Sequence, residues 1–222
     1  MKRAVVIFAI LTAAINAPAL SETNAGTKKP SSQNPSSARV ISPIFGQLVS
    51  YSLPLNFNTV FENTNGNNYI REAVIKGETV DKWSEMITVT GAKGAAANKA
   101  LTPKIFAEII ASGFKKACPM ANAGKALGTT KIGTQDAFIA VASCGNTSGH
   151  SESALIIAIK GAADFYTVQW AERGAVSAQP LTIDDGRWTA RAKRLAPIAV
   201  CTIVPGQAAP YPSCLAQKSD NP

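Results

Sequence analysis

The sequence predicts an α+β domain: an antiparallel sheet of about six strands with helices packed on it. Three observations lead there. Short apolar/polar alternations rich in β-branched and aromatic residues recur between turn residues, as at 56–63 (NFNTVFEN) and 164–172 (DFYTVQWAE), the period of half-buried strands. One segment, 103–117, carries its apolar residues at helical spacing instead. The strand candidates at 56–63 and 69–75, and again at 153–160 and 164–172, are joined by turns too short for a parallel crossover.

The chain opens with Lys2 and Arg3, an apolar run over 4–15 (AVVIFAILTAAI), and the small-residue exit Ala17-Pro18-Ala19. A run that short does not span a bilayer, and the pattern is that of a secretory signal peptide. Residues 1–21 are therefore expected to be removed, the mature chain beginning near Pro18, Leu20 or Glu22. The first cysteine is Cys118, so no acylation site stands near the cut. Residues 22–38 are rich in Ser, Pro and Asn without an apolar period, and read as a disordered linker. Residues 39–216 form a single domain with a C-terminal disulfide-tied segment, and 217–222 a flexible tail. The expected location is periplasmic or secreted, with no later segment of transmembrane length.

Within the domain, 48–53 (LVSYSL) alternates and stops at Pro54, as a strand does. The strand at 56–63 runs into Asn65-Gly66, a hairpin signal, and 69–75 returns. Gly77 ends that strand. Val80, Trp83, Met86 and Ile87 then share a face at i, i+3, i+6 and i+7, which predicts a short helix over 79–87 capped by Thr79. It would pin Trp83 and Met86 on the sheet and turn Glu78 and Lys82 to water. Residues 92–100 are a small-residue loop. Thr102 caps and Pro103 opens the next helix, whose stripe is Ile105, Phe106, Ile109, Ile110 and Phe114. Lys115 and Lys116 suit its negative end.

Strands follow at 129–132, 135–144, 153–160 and 164–172. Asp184 or Asp185 caps a helix near 187–195, closed by Pro197, and a strand-like 198–204 precedes a Pro-rich tail. The segments YSLP (51–54), GTQDAF (133–138) and YTVQW (166–170), with the long helix between them, resemble the PsbP/Mog1/DcrB-like fold. GETVDKWSEMITV (77–89) and PYPSC (210–214) resemble segments of small exported bacterial proteins of unknown function. The resemblance covers about residues 46–173. Its motifs are structural, so it implies a fold and a binding role, and it carries over no active site.

Four cysteines in an exported chain imply two disulfides in one of three connectivities. Cys118–Cys144 and Cys201–Cys214 are expected, because each closes a short loop beside an element end. No C-x-x-C spacing exists and His150 is the only histidine, which disfavours a zinc site. No catalytic residue, cofactor or metal is expected.

His150 lies in the turn GNTSGHSES with Ser148 and Ser151 near it, and with Asp164 it could make up a Ser-His-Asp set. No G-x-S-x-G elbow accompanies it, and the composition is that of an exposed loop. Asp184-Asp185 reads as a helix cap rather than a metal pair. Arg187, Arg191 and Arg194 stand at i, i+4, i+7, flanked by Lys193, with Trp188, Ala192 and Leu195 facing inward. That row could dock an acidic protein or an anionic envelope component. Without Lys2 and Arg3, 20 of the 22 Lys and Arg face 14 Asp and Glu, a net charge of +6, which favours anionic surfaces; an exported chain seldom meets nucleic acid. The expected role is a non-catalytic binding or assembly module of the envelope. The alternative is a hydrolase whose site the fold assembles around His150.

Overall fold

The computed structural model describes residues 36–215. The signal-peptide segment, most of the linker and the tail lie outside them. Among the described residues ten strands form two sheets, where the sequence predicts about six strands in one. A seven-stranded antiparallel sheet has the order β3-β4-β5-β9-β8-β7-β6, and a three-stranded one the order β1-β2-β10.

β1 (Ser37–Ile44) and β2 (Gln47–Pro54) pair antiparallel. β1 had no sequence signal, and its first two residues, Ser37 and Ala38, fall in the stretch read as linker. β3 (Phe57–Asn65) and β4 (Asn68–Ile75) form the expected hairpin, Asn65 opposite Asn68. Gly66 takes the turn's positive φ of 58°, which a glycine adopts without steric cost.

No helix forms over 79–87. Residues 76–84 are turns and bends, and β5 (Glu85–Ala92) begins at Glu85. A nine-residue helix is marginal alone, and here the backbone has better partners. Thr79 N–H donates to Lys82 O at 3.0 Å, and Lys82 N–H to Thr79 Oγ1 at 3.2 Å. Glu78 accepts from Ser84 N–H (2.9 Å) and Ser84 Oγ–H (2.6 Å), so its carboxylate is tied rather than turned to water. Met86 and Ile87 pair with β4 on one side and β9 on the other. Being consecutive in a strand, they point to opposite faces, and both are buried.

Helix α1 (Pro103–Ala117) has the predicted bounds, and Thr102 Oγ1 accepts from Ile105 N–H as its cap. Its buried line is shifted, however. Phe106, Ala107, Ile110, Ala111 and Phe114 pack on Phe138, Ala140, Ala142, Ile156 and Ala158, whereas Ile105 and Ile109 of the predicted stripe are exposed. The strands beneath α1 are β6 (Asn122–Ile132), β7 (Gln135–Cys144) and β8 (Ser151–Lys160). β9 (Phe165–Gly174) returns beside β8 and then pairs with β5, which closes the order of the large sheet.

The opposite face of the large sheet carries the main core. Ile87, Val89, Leu155, Ile157, Tyr166, Val168 and Trp170 meet Val49 and Tyr51 of the small sheet and Trp188 and Leu195 of α2 (Asp185–Leu195). β10 (Ala199–Thr202) then joins β2 antiparallel. The four-residue α3 (Pro212–Leu215) ends the described chain. Layering is thus helix, large sheet, then small sheet with α2, the usual answer for elements with one apolar face. Where the β1–β2 turn closes onto β5, a Cβ on Gly91 would stand 2.7 Å from Ile44 Cγ2; no larger residue fits without movement.

Candidate functional site: the basic helix and the cavity at its end

Helix α2 begins as the sequence indicates. Asp184 Oδ1 accepts from Arg187 N–H at 2.9 Å, and Asp185 pairs with Lys125 at 2.6 Å. The aspartate pair is a cap and an ion-pair partner.

The arginine row lies against the protein's own carboxylates. Glu85 and Glu172 are directly opposite on β5 and β9, an arrangement of like charges that repels unless neutralised. α2 supplies the neutralising charge. Arg187 bonds Glu172 Oε2, and Arg191 Nε donates to Glu172 Oε1 at 2.6 Å and its Nη2 to Glu85 Oε1 at 3.4 Å. Trp170 Nε1–H donates to Glu85 Oε2 at 3.0 Å. Above the Trp170 ring stand the guanidinium groups of Arg191, at 4.7 Å, and Arg194, at 4.9 Å, favourable cation–π positions.

All three predicted docking residues thus meet the protein's own groups, Arg187 and Arg191 through carboxylates and Arg194 through the Trp170 ring, although the Arg187 side chain remains 59% exposed. Lys193 and Arg194 are exposed at the helix end. They wall a cavity of about 230 Å3 together with Ser36, Ser37, Pro54 and Ala196. Lys193 was read from the sequence as the edge of the row. The Ser36–Ser37 side of the cavity carried no signal, because it depends on β1, which sequence periodicity misses, whereas Pro54 ends a strand that the alternation does predict.

The two disulfides are the expected ones. Cys118, the C-cap of α1, joins Cys144 at the end of β7, and Cys201 of β10 joins Cys214 of α3. They fit an oxidising compartment.

His150 sits in its own turn. Its Nε2 lies 2.9 Å from Thr147 Oγ1 and 3.7 Å from Glu152, which in turn pairs with Arg173 at 3.3 Å. The Ser-His-Asp set is not assembled. Ser151 pairs with Gly174 at one end of β8 and Lys160 with Phe165 at the other, so about 30 Å of strand separates His150 from Asp164. Asp164 is buried and structural: it accepts from Gly94 N–H at 2.7 Å, Tyr166 O–H at 3.1 Å and Gly46 N–H at 3.5 Å. Among the described residues no three His, Cys, Asp or Glu side chains gather in a way that could hold a metal ion. No helix among them is long and apolar enough to cross a membrane.

No family model matches the chain, and no curated protein matches it in sequence. Solved structures do show a likeness in chain path. A protein from Bacteroides thetaiotaomicron is 15% identical with a TM-score of 0.40 over 78% of this chain; this chain spans 50% of that one. A point mutant of Mog1 is 11% identical with a TM-score of 0.40, covering 71% of this chain and 85% of its own. LpqN of Mycobacterium tuberculosis, described as involved in cell envelope biogenesis, is 9% identical with a TM-score of 0.38, covering 74% and 90%. A PsbP/Mog1/DcrB-like fold is what the sequence resemblance implied.

Proposed function

We propose that this chain is an exported, non-catalytic binding module that engages an anionic component of the envelope through the basic end of α2. The observation that carries the reading is the division of labour along the helix. Arg187 and Arg191 neutralise Glu172, whereas Lys193 and Arg194 face solvent beside a cavity. Cations with no carboxylate partner among the described residues, on a chain of net charge +6 once Lys2 and Arg3 are removed, attract anionic surfaces. The two disulfides and the signal-like first 21 residues support export, and an intact mass beginning near Pro18, Leu20 or Glu22 would accord with it. A hydrolase centred on His150 has less support, since that imidazole is occupied by Thr147 and Glu152.

Vesicle co-sedimentation tests the reading. The mature, oxidised protein should bind phosphatidylglycerol vesicles and not phosphatidylcholine vesicles, less so as salt rises. The Lys193→Gln/Arg194→Gln double variant should lose most of that binding. Equal binding by the double variant, or none by the wild type, overturns it.

A further inference from the structure

We propose that the cavity between the start of β1 and the end of α2 is a phosphate-binding site. The inference rests on the basic-end reading above and narrows it from a surface to a pocket. Lys193 supplies a point charge with three donors, Arg194 a planar fork, and Ser36 and Ser37 hydroxyl donors. That set suits an anion with several oxygens arranged in three dimensions.

A second observation is independent of α2. Arg39 stands two residues along β1 from Ser37 and pairs with Ser52, itself two residues from Pro54. Residues two apart share a strand face, about 7 Å from one another, so Arg39 lies next to the cavity's β wall without itself lining it. Its Nε donates to Ser50 Oγ and its Nη1 to Pro197 O at 2.8 Å, next to the cavity residue Ala196. Its Nη2 is enclosed and has no acceptor among the described residues. Neither does it pair with any carboxylate there, while burial disfavours its charge. A guanidinium left so is short of a counter-charge, and an oxyanion in the neighbouring cavity would supply one across a short, poorly solvated distance. The last turn of α2 would oppose an anion through its free carbonyls. Ala196 N–H already occupies those of Ala192 and Lys193.

The phosphate group could arrive free or on a lipid headgroup, so the mature, oxidised protein is titrated separately with inorganic phosphate and with phosphatidylglycerol vesicles. Backbone amide NMR follows the first at constant ionic strength, and co-sedimentation the second. Saturable shifts around Ser37 and Ala196, weakened at least tenfold by Ser37→Glu, are the result expected for free phosphate. Should only vesicles bind, with the same loss in Ser37→Glu, the group comes from the headgroup and the site stands. Near-UV circular dichroism verifies that the variant is folded, and Arg194→Gln provides a second variant. Phosphate binding without vesicle binding supports the pocket and refutes the broader surface reading. Vesicle binding indifferent to Ser37→Glu, with no saturable phosphate shift, overturns the pocket and leaves the surface. Phosphate shifts indifferent to both variants overturn it as well.

Discussion

The guanidinium of Arg173 lies 3.8 Å over the ring of Trp83, closing the ring between β9 and the turn at 76–84. Beneath it are Val74, Met86 and Ala171. Arg173 is held in turn by Glu152 at 3.3 Å, and its backbone N–H donates to Ser84 O at 2.9 Å. The corner is therefore packed from both sides. Trp83→Ala should lower stability by about 3 kcal/mol, as deletion of a large buried aromatic does. Arg173→Ala should cost about 1 kcal/mol, part of it the lost cation–π contact. Urea unfolding measures both. An unchanged midpoint for Trp83→Ala would mean that the ring is available for recognition and not for packing.

Glu78 is the residue whose expected behaviour the structure reverses. Its carboxylate accepts two bonds from Ser84 and fixes the turn that admits Trp83. Glu78→Ala should cost about 1 kcal/mol, and Lys82→Ala, whose side chain is exposed, within about 0.5 kcal/mol. Equal midpoints for the two variants would show that the Ser84 bonds contribute nothing net.

The Glu85–Glu172 juxtaposition makes a sharper test of the arginine row. Glu172 is 7% exposed and answers both Arg187 and Arg191. Glu172→Gln should cost about 3 kcal/mol, since removing one partner leaves a poorly compensated charge in a nearly buried site. Arg187→Ala should cost less than about 1 kcal/mol, because that side chain is largely solvated. A larger loss for Arg187→Ala than for Glu172→Gln would contradict this account.

Three tyrosines set the alkaline limit, Tyr51 among them because burial raises its hydroxyl pKa. Burial raises the Tyr166 hydroxyl pKa, and the Asp164 carboxylate, which accepts its proton bond, raises it further. Tyr69 is raised by burial and by its 2.7 Å bond to Glu62. In the unfolded chain all three ionise near the ordinary value of about 10. A group whose folded pKa lies above its unfolded one contributes stability below the unfolded value and loses it as pH rises toward the folded one. Unfolding free energy should hold steady from pH 8 to about 9.5 and then fall. Tyr166→Phe should flatten that fall; a slope unchanged in the variant would remove Tyr166 from the explanation.

Local signals were legible where the chain decides its own conformation. Thr102 and Pro103 define a helix start without help, Asn65-Gly66 turns a hairpin, and Asp184 caps α2. The disulfide partners followed from loop length. The caps and the turn depend on residues close in sequence, whose backbone preferences and short-range bonds are the same in any fold; the disulfides also need their element ends brought together, Cys118 and Cys144 across 26 residues.

What the sequence left undecided was which strands lie side by side. β5 pairs with β9 across more than seventy intervening residues, and β2 leaves the large sheet to join β1 and β10. Those pairings placed Glu85 opposite Glu172 and drew the arginine row inward. They also gave residues 85–87 two neighbouring strands to bond, and so cancelled the helix that their spacing suggested. Periodicity records which side of an element is apolar but not what that side meets. A strand's backbone bonds go to whichever partner the tertiary fold brings, and the charges it carries are neutralised only by what lies across from them.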